Sequence, residues 1–222
     1  MEKIKNELKN FCNNIFIKHM KKSFLICFII MISIVIFQTV TFMDNVEFMN
    51  KLKEITFIMP SIGIQIFNDL VFLIIVIMLG SVPYAFASII ATPFIALQYS
   101  FRLLILISLG KSSFFGLTIS ALFRILAFSL VISYSILMSK KSTLKFKLSS
   151  LKGYNFSDFR KDVYNMSKKD NKAKQIEKKK NDKIKETENK IKNINTNFET
   201  MGIVTVISTI VIVISVVLEK II

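Results

Sequence analysis

Apolar and polar positions in this chain are sorted into long blocks instead of being interleaved, and the longest block, residues 63–138, carries only four charges, Asp69, Arg102, Lys111 and Arg124. One hydrocarbon crossing takes about 20 apolar residues, so this block holds enough for about three. A second apolar run occupies residues 23–43 and a third residues 201–218. The pattern predicts an all-α, polytopic membrane helix bundle of about five transmembrane spans: 23–43, 63–82, 84–109, 114–138 and 201–218. Gly80, Ser81, Val82 and Pro83 predict a tight turn between the second and third spans, because proline removes a donor and disfavours the α conformation of its predecessor. Pro93 predicts a kink in the third span. Between the first two spans, residues 47–57 predict a short interfacial helix.

Charge fixes how this array is threaded. Residues 1–22 hold six lysines against two glutamates, a net +4, and residues 139–200 hold eighteen basic against eight acidic residues, a net +10. The connector and entry to the second span, residues 43–69, hold four acids against two lysines. An odd number of crossings before residue 139 would separate the two basic blocks, whereas four crossings put both on the cytoplasmic face, as the positive-inside bias favours. The expected layout is a basic inner leader (1–22), a four-span membrane core (23–138), a basic cytoplasmic helical insertion (139–200) and a last span (201–222). The N-terminus is then inside and the C-terminus outside the plasma membrane. The leader reads as an amphipathic helix with Ile4, Leu8, Phe11, Ile15 and His19 on one side, able to lie on the membrane surface. The run after it exceeds the apolar core of a signal peptide and lacks a small-residue cleavage site, so it is expected to remain as the first span.

Within the insertion, Leu144, Phe146 and Leu148 alternate with Lys145 and Lys147. Phe156, Phe159 and Val163 then recur at helical spacing beside Arg160 and Lys161, a combination suited to the anionic lipids of the inner leaflet. Residues 167–197 are rich in Lys, Asn and Glu. Ile184, Ile191 and Phe198 lie seven apart with Ile194 in register, but two heptads are too few for a coiled coil, and a solvated helix is expected.

No P-loop, dinucleotide glycine pattern, His-Glu-x-x-His or Gly-x-Ser-x-Gly occurs, and His19 is the only histidine. No catalytic activity, cofactor or metal site is expected. Cys12 and Cys27 set up neither a disulfide framework nor a metal spacing. The basic balance is accounted for by the membrane, without nucleic acid. The residues that ask for an explanation are the charges at membrane depth, which are costly and by default functional. Counting about 1.5 Å per residue from the outer ends of their spans places Asp69 and Arg102 near the same depth, about 9–10 Å, and predicts an ion pair between them. Arg124 falls near the midplane at about 15 Å, with Gln98 and Tyr99 as expected partners in a polar site.

Phe67-Asn68-Asp69 entering the second span, Gly80 near its end, Gly116 after a short outer turn and Glu219 closing the last helix resemble stage II sporulation protein M and its relatives. The chain departs from that pattern at Gln98-Tyr99-Ser100 and Ser113-Phe114-Phe115. The resemblance implies a non-enzymatic membrane scaffold that recruits cell-wall hydrolases. The residues themselves support a membrane protein that assembles with other membrane or envelope proteins; the alternative is a permease-like transporter or exporter subunit working with a separate ATPase.

Overall fold

The computed structural model describes residues 2–55, 62–108, 114–153, 170–194, 196 and 198–221. Helices α1 (Glu2–Asn10), a π-helical segment (Phe11–Met20) and α2 (Lys21–Met43) form one continuous rod. Helix α3 (Val46–Ile55) follows, then α4 (Ile62–Leu79), a 3-10 turn (Pro83–Ala85), α5 (Phe86–Ser108), α6 (Phe114–Gly153), α7 (Asp170–Asn193) and α8 (Phe198–Ile221). The fold is an all-α bundle. Four stretches, Asn6–Met43, Pro83–Ser108, Leu117–Lys152 and Glu199–Glu219, are long and apolar enough to cross a membrane, the pattern of a multi-pass membrane protein. The fifth expected span, α4, is apolar but shorter, about 27 Å against a hydrocarbon core of about 30 Å.

Helix α6 is the axis on which α2, α4, α5 and α8 pack. Phe128, Val131, Ile132 and Tyr134 on it are buried. Small polar residues set its register against each neighbour, because short side chains let backbones approach and hydroxyls find partners across the interface. Ser120 and Ser215 hydroxyls meet at 3.0 Å and Ser208 donates to the Ala127 carbonyl, which runs α8 antiparallel to α6. Ser88 and Ser135 meet at 2.7 Å while the Tyr99 and Phe128 rings lie tilted to one another with centroids 5.5 Å apart, making α5 antiparallel as well. Ser135 donates to the Val76 carbonyl from the parallel α4. Contacts of Thr92 with Cys27 and of Ser100 with Gln38 align α2 parallel to α5. The leader, the α4–α5 turn and the far part of α6 therefore share one end of the bundle, and α3 lies at the other.

Three elements depart from the sequence expectation. The leader continues straight into α2 with Phe11, Ile15 and Met20 buried, its π segment packing on α6. The wider π turn explains this: spacings of four and five residues share a face at about 4.4 residues per turn, whereas Met20 would face away in an α-helix. Second, the fourth span does not stop at Met138 but runs on to Gly153. Extending a formed helix avoids a second nucleation cost, and Leu144, Leu148 and Leu151 make a helical stripe that the alternation with lysine obscured. Third, α7 returns along that extension, with Lys152 Nζ 2.8 Å from Glu188 and Lys141 Nζ 3.5 Å from the Thr196 carbonyl oxygen, and with Ile194 buried. The insertion thus includes an antiparallel helical hairpin in which Ile184 and Ile191 are half-buried. The hydrogen bond from Lys152 holds the Glu188 carboxyl below the usual carboxylate range, as that from Lys190 does for Glu186.

The α4–α5 turn is held from α6. Tyr84 and Ala85 take positive φ values of 70° and 55°, a strained region for residues with a Cβ. Their amides donate to Thr143 Oγ1 and Ser139 Oγ, one helical turn apart on α6. Gly80 enters this turn against Ser135, where an added Cβ would stand 2.8 Å from the Ser135 carbonyl oxygen and 2.9 Å from its Cα. Asn45 caps α3 by accepting from the Phe48 amide at 3.0 Å, placing the interfacial helix close to where the sequence put it. Gly80→Ala is expected to destabilise the bundle by about 1–3 kcal/mol, as other overpacked sites do. Gly63→Ala and Gly202→Ala, with open space at the Cβ position, are expected to lose nothing measurable in thermal unfolding in mild detergent.

Candidate functional site

Four helices each bring a charge to one cluster near the end of the bundle remote from the leader. Asp69 comes from α4, Arg102 from α5, Arg124 from α6 and Glu219 from the last turns of α8. Arg124 is only 2% exposed, Asp69 5% and Glu219 7%, so the three have almost no water to stabilise them. They are stabilised by one another. Arg124 Nη2 lies 2.8 Å from Glu219 Oε2, and Arg124 Nε lies 3.5 Å from Asp69 Oδ2. Both contacts fall outside good hydrogen-bond geometry at Arg124, so its hold on the two acids is chiefly coulombic. Arg102 Nη2 reaches both Glu219 oxygens, at 3.1 and 3.2 Å, and also donates to Gln65. Tyr99 donates to Asp69 Oδ1 at 2.9 Å, and its ring lies under the Arg124 guanidinium, 5.8 Å from centroid to Cζ. Two cations and two anions close the cluster at zero net charge.

The expected pair of Asp69 with Arg102 is not the one formed. Arg102 takes Glu219 and Gln65, while Asp69 takes Arg124 and Tyr99. Equal depth did not decide the pairing, because α4 and α5 make few contacts with each other while both meet α6 or α8. Arg124 does meet Tyr99, as expected, but Gln98 is exposed and faces away from it. Glu219 is the member that sequence reasoning missed as a partner, since hydropathy ends the last span at Leu218. The signal was available: an antiparallel α8 ends at the level of Asp69 and Arg102, and the expected Asp69–Arg102 pair left Arg124 without an acid. Phe156, Phe159, Val163, Arg160 and Lys161, the expected lipid contacts, lie outside the described residues, as does Lys111.

The arrangement can lock helices together. Arg102, with a side-chain exposure of 24%, is the least buried member of the cluster. No group of three or more potential metal-ligating residues occurs among the described residues. No family model, curated protein or solved structure matches the chain.

Removing one partner of a buried pair strands the other, at a typical cost of about 3–5 kcal/mol. Glu219→Gln strands two arginines and is expected to be the most damaging of the conservative single substitutions in the cluster, with Arg102→Gln milder because that side chain is the least buried of the four. In detergent unfolding, a double-mutant cycle of Arg124→Gln with Glu219→Gln should show coupling of at least about 1 kcal/mol, more than the Asp69→Asn, Arg102→Gln cycle. The reverse order would assign the pairs as the sequence depths did.

Proposed function

We propose that this chain is a non-enzymatic scaffold of the plasma membrane, crossing it with five helices, the N-terminus inside and the C-terminus outside. Its role is to hold a rigid basic arm at the cytoplasmic face while its membrane core assembles with other membrane or envelope proteins. The observation that carries this reading is the closed charge cluster. The four charges of the cluster are satisfied by one another, binding α4, α5, α6 and α8 into one unit, and the net positive charge of the described residues lies toward the opposite end of the bundle, on the leader, the end of α6 and α7. The leader and the α6–α7 hairpin emerge together there, and their excess of lysine favours that end as the inner one by the positive-inside bias. The resemblance to stage II sporulation protein M points to the same class, and recruitment of envelope hydrolases is the form it would take. The membrane boundary is set at the α4–α5 turn, so anionic inner-leaflet lipids are the natural partners of Lys21, Lys22 and Lys140, which lie near its level.

Topology is tested with single cysteines after Cys12 and Cys27 are replaced. A cysteine at Asn50 should react with a membrane-impermeant maleimide in intact cells, and one at Asn189 should react only after permeabilisation. Labelling of both in intact cells would overturn the orientation. Crosslinking in cells followed by purification in mild detergent tests assembly: membrane or envelope proteins should be recovered with the chain, whereas an ATPase as principal partner would make it a transport subunit.

A further inference from the structure

The hairpin formed by the end of α6 and by α7 is more than a consequence of charge-biased threading. Residues 139–153 hold five lysines and no acid, on one uninterrupted helix. Lys141, Leu144, Leu148 and Leu151 are partly buried, whereas Lys140, Lys145, Phe146 and Lys147 are exposed. At 100° per residue Lys140 and Lys147 fall on one flank of the outer face and Lys145 on the other, with Phe146 between them. Phe146 is 59% exposed, an aromatic ring standing between two lysines on a helix braced from behind.

Distance separates this face from the bilayer. Ser139 bonds the α4–α5 turn and marks the end of the membrane core, so Lys140 remains within reach of head groups. Phe146 stands about 10 Å further along α6 and Gly153 about 21 Å. The head-group layer accounts for about 5–8 Å of that, and attraction to its charge decays over about 8 Å at physiological salt. Lipid charge is therefore weakened at Lys145 and Lys147 and weak at the tip, and the Phe146 ring, beyond the head-group layer, has no hydrocarbon within reach to cover it. Among the described residues of α7, Glu186 and Glu188 are already paired, with Lys190 and Lys152. A nucleic acid suits the arm less well, because Asp182, Glu186 and Glu188 interrupt its positive track where a phosphate backbone presents evenly spaced charge.

We propose that the outer face of α6 around Lys145, Phe146 and Lys147 is a docking site for an acidic, amphipathic segment of a partner protein. Its apolar residue seats on Phe146 and its carboxylates face the flanking lysines. An aromatic anchor inside a charged rim is the usual anatomy of such contacts. The inference rests on the scaffold reading and names the chemistry of one of its partners.

The test uses the full chain in nanodiscs of neutral lipid, with a fluorescent helical peptide of Glu and Leu at heptad spacing as probe. The same peptide with Gln in place of Glu, a single-stranded oligonucleotide and vesicles of anionic lipid serve as comparisons. The acidic peptide should bind, and bind more weakly as salt rises. Phe146→Ser should reduce its affinity at least about fivefold, the loss of a single anchoring side chain. Lys145→Glu with Lys147→Glu should reduce it at least about tenfold. These residues are exposed, and unchanged helix content is the folding control. Peptide binding indifferent to Phe146, equal binding of the Gln peptide, tighter binding of the oligonucleotide or interaction with anionic vesicles alone would each overturn the proposal. If the Lys145→Glu, Phe146→Ser, Lys147→Glu variant kept all the cellular partners of the natural chain, this site would fail while the scaffold reading stood.

Discussion

A charge in hydrocarbon has to find its opposite within a few ångströms, and this requirement organises the bundle. Arg124 sits buried in the first third of α6, the helix on which the others pack, where an unpaired guanidinium would be several kcal/mol too costly. Satisfying it takes Asp69 from α4 and Glu219 from α8, and Glu219 in turn is shared with Arg102 of α5. The four positions come from far apart in the chain, so pairing them fixes which helices are neighbours and in which direction each runs. Tyr99 completes the cluster by filling a side of Asp69 with a hydroxyl and a side of Arg124 with a ring.

The remaining polar contacts extend the same rule to uncharged groups. A hydroxyl in an apolar interior is tolerated when it bonds across a helix interface, and the serines of α6 do this against α4, α5 and α8 in turn. At the leader end the hydroxyls do more than hold helices. Ser139 and Thr143 accept from the amides of a turn whose residues carry positive φ, so the strained α4–α5 connection and the start of the exposed arm are fixed to the same two positions. The helix that centres the bundle is thereby also the one that projects from it.

Much of this fold was legible in the sequence. Apolar block lengths located α2, α4, α5 and α8 to within a few residues but stopped α6 well short of Gly153, and Gly80 with Pro83 located the tight turn. Boundaries failed where two readings used the same residues. Alternating Leu and Lys in 144–148 fits a strand-like pattern as well as a helix, and only the continuing helix behind it breaks the tie. The leader's apolar residues fit a surface helix until the π turn brings Met20 onto the face of Phe11 and Ile15. The charge cluster was half legible: which residues needed partners was clear from depth, whereas who partners whom depends on lateral packing that depth does not encode. Glu219 was lost because hydropathy ends the last span at Leu218, although the helix carries it one residue further into the cluster.

Closure of the cluster requires α8 to lie antiparallel along α6 with its final turns at the level of Arg102 and Arg124. Disulfide trapping in native membranes tests this most directly. In a chain lacking Cys12 and Cys27, Ser120→Cys with Ser215→Cys should lose both free thiols on mild oxidation, since the two hydroxyls are 3.0 Å apart. Ser120→Cys with Ile210→Cys, whose side chain is exposed, should keep both. Equal trapping of the two pairs, or trapping of the second alone, would contradict the packing of the last helix and with it the closure of the cluster by Glu219.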